Sequence, residues 1–275
     1  MKRIGAREVI ARVDALMPQL HTLYRGSIVN KRGKTLNSEI PYGELIAQRL
    51  LHTYDFPSLI TSLPKIPKGV DIRPKEHDGT MLDPTILGIE QESRVAVALY
   101  NNHYLGMLGT VIDYLIPITI DGRNIGTIDL IAFNPQTKTL FVIGYAYHEQ
   151  KRDTVLRCAL EIATLRNSLH DWRFLKAYED LLVNTDGSPI DLQDIRIEPA
   201  LLFLEGSYQD RSIRALKMTP HIASLLKELG IRVFTIGVKL DLRDRPRFTR
   251  KMAIHPYKPV FHFVPVLRER QITGL

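Results

Sequence analysis

The chain has 275 residues, a net charge of +7 and one cysteine, Cys158. Its apolar share of 44% supports a sizeable core, and no stretch is apolar for long enough to span a bilayer. A lone cysteine excludes an intramolecular disulfide and suits a reducing compartment, so a cytoplasmic protein without membrane contact is expected, and the basic balance permits nucleic acid as a partner.

Residues 1–85 read as a helical N-terminal extension. Met1 to Arg7 lacks the long apolar run of a signal peptide. From Glu8 to Leu20, Val9, Ile10, Val13, Leu16 and Met17 recur at helical spacing. Arg25 to Lys34 is a basic loop, Tyr42 to Tyr54 is a second helix entered through Pro41, and the proline-rich stretch from Pro57 to Asp83 reads as a long connection.

Residues 86–240 read as the core, of class α/β. Glu90 to Tyr104 is consistent with a helix, Tyr114 to Asp121 with a strand, and Asp121-Gly122 with a hairpin turn. Next comes Gly122-Arg123-Asn124-Ile125-Gly126-Thr127-Ile128-Asp129-Leu130-Ile131-Ala132, a strand holding one acid, Asp129, among apolar neighbours. A buried carboxylate is costly unless it is paired, hydrogen-bonded or bound to metal, which marks Asp129 as a candidate site residue. The turn Asn134 to Lys138 leads to the apolar strand Thr139 to Tyr147. A helix runs from Asp153, read as its capping carboxylate, to about His170, with Val155, Cys158, Ala159, Ile162, Leu165 and Leu169 as its buried stripe. Ile197 to Leu204 reads as a central strand covered on both faces, His221 to Leu229 as a helix closed by Gly230, and Ile231 to Val238 as a further buried strand. Residues 241–275 form a basic C-terminal extension that contains Arg243, Arg245, Arg247, Arg250, Lys251 and a strand-like segment from Val260 to Val264.

Acidic strand, hairpin, strand and helix in this order resemble the core of the PD-(D/E)XK, or restriction-endonuclease-like, nuclease superfamily. The resemblance covers about half the chain and implies an αβββαβ core with a mixed central sheet. In that family one strand supplies an Asp, and the next supplies a Glu and a Lys two residues apart. Asp129 matches the first, while Gly144 and Ala146 stand in place of the other two. Strand alternation puts Thr127, Asp129 and Ile131 on one face, looking towards Val142, Gly144, Ala146 and His148.

The resemblance implies Mg²⁺ as cofactor if the protein is active, with Asp129 as a ligand. Missing functions could be supplied by Glu149 and Lys151, which also read as ordinary loop charges. They could come from Glu161 with Arg157, which also read as a helical ion pair, or from Glu92, which also suits a helix N-terminus. Arg157 and the basic tail, Arg243, Arg245, Arg247, Arg250 and Lys251, are candidate phosphate contacts, with Phe248 as a stacking residue. Arg25, Lys31, Arg32 and Lys34 form a second, weaker cluster of the same kind. His77-Asp78 and His170-Asp171 lack partners at zinc-ligand spacing, and no strand-to-helix junction carries a glycine-rich phosphate loop.

Three functions remain open: a nucleic-acid-binding relative, with DNA as the expected partner, whose hydrolysis is lost or strongly weakened; an active Mg²⁺-dependent nuclease with relocated catalytic residues; and a non-catalytic protein-interaction module. A homodimer is compatible with each.

Overall fold

The computed structural model describes residues 3–36, 38–65, 96, 99–120, 123–146, 153–240 and 263–272. Its centre is a six-stranded mixed sheet with the strands in chain order: β1 (Thr110–Ile120), β2 (Arg123–Asn134), β3 (Thr139–Ala146), β4 (Arg196–Leu204), β5 (Arg232–Leu240) and β6 (Phe263–Glu269). β1, β2 and β3 form an antiparallel meander, β3, β4 and β5 run parallel, and β6 closes the sheet antiparallel to β5. The protein is therefore α/β, as its sequence pattern predicts.

The parallel strands are the plainly apolar ones. From Pro199 to Phe203, β4 is buried throughout, because its neighbours cover both edges and other elements cover both faces. Pro199 is tolerated there because pairing with β5 begins one residue later, at Ala200, so the missing N–H breaks no ladder on that side. Pro117 lies on β1, at the sheet edge.

The helix between β3 and β4, α4 (Val155–Ser168), is buried almost all round. It packs on β2, β3 and β4, and is covered on its other side by the N-terminal segments and by α6 (Tyr208–Arg214). A helix enclosed in this way carries Leu156, Leu160 and Ala163 in its core in addition to the predicted stripe. Its cap is Thr154, whose hydroxyl accepts the Arg157 N–H at 3.2 Å, and not Asp153 as the sequence pattern suggests. α5 (Asp171–Ala177) follows.

The N-terminal helices share this core. α1 (Ala6–Leu16) contributes Val9 and Val13, and α2 (Tyr42–His52) contributes Leu45, Ile46 and Leu50, to one apolar cluster with α4 and the sheet. The predicted first helix ends early: Pro18 follows, Gln19 is non-helical, and Met17–Arg25 forms a 3-10 segment. The expected connection after Pro57 begins instead within a short helix, α3 (Phe56–Thr61). Glu44 of α2 reaches α7 (Pro220–Glu228), where its carboxylate accepts the N–H groups of His221 at 2.9 Å and Ile222 at 3.2 Å. It thereby satisfies orphan donors at that helix start. A second cluster covers the opposite sheet face, built from Ala96, Leu99, Leu105 and Leu108 over Leu130, Phe141 and Leu202. Among the described residues no helix is long and apolar enough to cross a membrane.

The added C-terminal strand exists: β6 runs from Phe263 to Glu269, and of the predicted segment Val260 to His262 lie outside the described residues.

Candidate active site

Asp129 sits where β2 and β3 part. The ladder between them runs from Asn134↔Thr139 to Leu130↔Ile143 and stops there, one step short of Asp129 and Gly144. The Asp129 carboxylate takes up the next donor, accepting the Tyr145 N–H at 2.7 Å through Oδ2. A side chain thus replaces a ladder bond, the backbone donor stays satisfied, and the strands open.

The neighbouring strand is irregular at the same level. Tyr114↔Leu130 and Ile116↔Ile128 are paired, which leaves Leu115 opposite Asp129, and Leu115 has φ of +53°. A left-handed φ is costly for a residue with a branched side chain and marks a place where the surroundings impose a conformation. The consequence is a change of face. Tyr114 and Leu130 join one apolar cluster, while Ile116 and Ile128, two residues away along each strand, join the other. A regular strand would keep such pairs together.

The opening is a cleft of about 580 Å³ between the splayed strands and α4. Thr127, Asp129, Gly144 and Ala146 line its sheet wall, on the face that strand alternation predicts, and Arg157, Cys158 and Glu161 line its helix wall. Tyr24 and Arg25 close one end. The Tyr24 hydroxyl donates to the Ile125 carbonyl, and Arg25 donates to Tyr24 Oη at 3.2 Å and to the Asn124 carbonyl at 3.0 Å. Gly126 makes this closure possible: a Cβ there would lie 2.7 Å from Leu165 Cδ2 and 3.0 Å from the Tyr24 hydroxyl.

Gly144 leaves its wall bare without being sterically obligatory. A Cβ would meet Leu201 Cδ2 at 3.4 Å and Ile162 Cβ at 3.6 Å, at the tight end of ordinary contact. The Ala146 methyl is buried. The predicted confrontation of one acid with two small residues is thus the observed geometry of the cleft.

Charge in the cleft is mixed. Asp129, Asp153 and Glu161 bring three carboxylates against Arg25 and Arg157. Arg157 forms an ion pair with Asp153, which lies just before α4, and the charge of Glu161, one turn further along the helix, also acts on it. Desolvation chiefly, then Asp153 and Glu161, hold the Cys158 thiol well above its ordinary range, with Arg157 opposing. Cys158 is therefore partly buried, packed against the core and lining the cleft as an inert thiol, not a nucleophile. Desolvation and then the Glu161 charge raise the Tyr24 phenol as well, which keeps it a donor.

The structure thus brings Asp129, Arg157 and Glu161 together. Glu90, Glu92, His148, Glu149, Lys151, Phe248 and the tail residues Arg243, Arg245, Arg247, Arg250 and Lys251 lie outside the described residues, as do His77, Asp78, Asp121 and Gly122. Among the described residues no three His, Cys, Asp or Glu side chains are grouped so as to hold a metal ion.

Tyr24, Asn124 and Tyr145 escape the sequence reading. Gly126, immediately before Thr127 in an otherwise substituted strand, is the one signal that could have pointed to close packing at this wall. No family model matches the chain, and neither a curated protein nor a solved structure matches it.

Proposed function

We propose that the chain is a restriction-endonuclease-like protein that binds nucleic acid, DNA foremost, across the face bearing the Asp129 cleft, and that its hydrolytic activity is lost or strongly weakened. The element order supports this reading: a three-stranded meander, then α4, then a strand parallel to β3, all in one mixed sheet. The observation that carries it is the position of Asp129, midway along an apolar strand and opening into a cleft whose sheet wall it shares with Gly144 and Ala146. Phosphodiester hydrolysis with a metal needs several hard oxygen ligands and a group to offset transition-state charge. The described wall of β3 supplies neither.

The test is fluorescence anisotropy with labelled DNA and RNA across a salt series, paired with incubation of the same polymers in Mg²⁺ or Mn²⁺. Expected is binding that weakens steeply with salt and no cleavage. Cleavage abolished by Asp129→Ala would overturn the claim of inactivity. Absence of salt-sensitive binding at low ionic strength would favour the protein-interaction module.

One observation favours a second reading, an active enzyme with relocated residues: Glu161 and Arg157 line the same cleft as Asp129. It requires metal-dependent cleavage that Glu161→Gln removes as completely as Asp129→Asn.

A further inference from the structure

The cleft alone is a poor trap for a polyanion, since three carboxylates face two arginines there. Affinity for phosphate has to come from beside it. The loop that follows the 3-10 segment supplies a candidate. Arg3, Lys31, Arg32 and Lys34 line a separate pocket of about 280 Å³ with Gly33, Tyr42 and a single acid, Glu39. Four cations against one carboxylate make it the complement of the cleft.

The pocket is built by the chain rather than gathered by chance on the surface. Gly33 turns the loop with φ of +93°, and the Tyr42 N–H donates to the Gly33 carbonyl at 3.0 Å. Thr35 pairs with the Ile40 carbonyl at 2.8 Å, and Leu36 with the Ile4 carbonyl at 2.8 Å, which ties the N-terminal strand of chain to the loop. Arg3 is anchored across this junction by the Thr35 carbonyl at 2.7 Å and by Glu39. Lys31 lies over the Tyr42 ring at 5.2 Å, and the Arg32 guanidinium stacks on Tyr208 at 3.6 Å. Stacking holds a guanidinium by its flat face, while the N–H donors of that group lie along its edge, in the fork that suits phosphate.

The same loop is bolted to the cleft. Asn30 donates to Asp153 Oδ1 at 2.8 Å and accepts the Thr154 N–H at 2.8 Å. Gln209, next to Tyr208, donates to the Asp153 carbonyl at 2.9 Å. Asp153 lines the cleft, so the loop that carries the basic pocket is hydrogen-bonded to a residue of the cleft wall.

We infer that Arg3, Lys31, Arg32 and Lys34 form a phosphate-binding pocket that anchors the backbone of a nucleic acid laid across the Asp129 cleft. The inference rests on the proposed function for the identity of the polymer, whereas the phosphate chemistry stands on the pocket alone. Inorganic phosphate and a mononucleotide probe the pocket by itself; a single-stranded oligonucleotide probes the extended site.

The experiment is a titration of the full chain at low salt, by calorimetry for the small probes and anisotropy for the oligonucleotide. Wild type is compared with Lys31→Ala/Arg32→Ala and with Lys227→Ala, which removes an exposed cation of α7 that lines neither pocket. Expected is at least a tenfold loss of oligonucleotide affinity in the double variant, with the slope of log affinity on log salt falling by about 1.4 for two single-strand phosphate contacts. Phosphate or mononucleotide binding should fall in parallel, and Lys227→Ala should leave all of these within about twofold. If small anions bind the pocket and the oligonucleotide does not, the phosphate site stands and the nucleic-acid reading fails. If the oligonucleotide binds in a salt-sensitive way and the double variant is unchanged, the nucleic-acid reading stands and this inference fails. Should the double variant lose its helical circular dichroism, Arg32→Lys keeps the charge and removes the fork. A Lys variant with undiminished affinity for every probe would then overturn the role given to the stacked guanidinium.

Discussion

Asp113 and Asp129 stand on the two strands of one hairpin, both in apolar surroundings, and the structure treats them in opposite ways. Asp113 is buried to 1% exposure, its Oδ2 accepting the Tyr178 hydroxyl at 2.7 Å and its Oδ1 the Tyr114 N–H at 2.8 Å. Burial, with the Asp113 charge second, pushes the Tyr178 phenol strongly upward and fixes it as the donor. Asp129 is only half-buried, takes a backbone donor at a point where the sheet opens, and faces a cleft. An acid inside a strand can thus be closed off as a piece of packing or held at the edge of a cavity where a ligand can reach it. Only the second arrangement is useful for chemistry.

The comparison breaks first at Asp113. Asp113→Ala leaves the buried Tyr178 hydroxyl without its acceptor and the Tyr114 N–H without its local partner, for an expected loss of about 3 kcal/mol. Urea unfolding measures it, and a loss below about 1 kcal/mol would show that Asp113 is not the structural acid of the pair. Next in size is Gly126→Ala at the cleft end. Its Cβ would press on Leu165 and Tyr24, and the tilt needed to relieve this costs about 2 kcal/mol. The same variant should disturb the Tyr24 hydroxyl contact to Ile125, readable as a shift in tyrosine absorbance on alkaline titration.

How far these roles could be read from sequence differs along the hairpin. The acidic strand, its face, the apolar parallel strands and the absence of side-chain chemistry at Gly144 and Ala146 follow from alternation and composition, because a two-residue period needs only local information. Asp113 does not. Its polar status depends on Tyr178, 65 residues further on, and its face depends on a left-handed φ at Leu115 that no residue type announces. Tyr24 and Arg25 are equally hidden, since they reach Ile125 and Asn124 from 101 and 99 residues away. The end of the first helix at Pro18 was in principle legible; the helix from Phe56 was obscured by the prolines around it.

Asp129→Asn sharpens the comparison at smaller cost. The Asn carbonyl oxygen can still accept the Tyr145 N–H, so stability should stay within about 1 kcal/mol of wild type. Against that quiet background, Gly144→Glu with Ala146→Lys gives β3 the two groups that the proposed kinship would place there. The first Cβ fits at 3.4 Å from Leu201 Cδ2. The expected outcome is Mn²⁺-dependent nicking of DNA that appears in the double variant and disappears when Asp129→Asn is added. A folded double variant with no such activity would count against the cleft as a nuclease-derived site.

The smallest effect separates surface acids from both hairpin acids. The Arg49 guanidinium, bonded to Asp14 at 3.0 and 2.9 Å, holds that carboxyl below its ordinary range, and Arg3 does the same for Glu39. The buried Asp210 joins them: desolvation pushes its carboxyl upward, but Arg214, the Gly206 N–H and Arg270 outweigh it. A carboxyl whose folded pKa is depressed contributes stability that is complete above its unfolded value, about 4, and is lost as the pH falls through the folded value. The thermal midpoint should accordingly be flat from neutrality to about pH 5 and decline below that. Asp14→Asn removes one such contribution, lowering the midpoint slightly at neutral pH and not at all once the wild-type carboxyl is protonated. The two curves should therefore converge on acidification. Parallel curves would mean that the α1–α2 ion pair adds nothing that titrates, and that acid sensitivity lies in the other carboxylates.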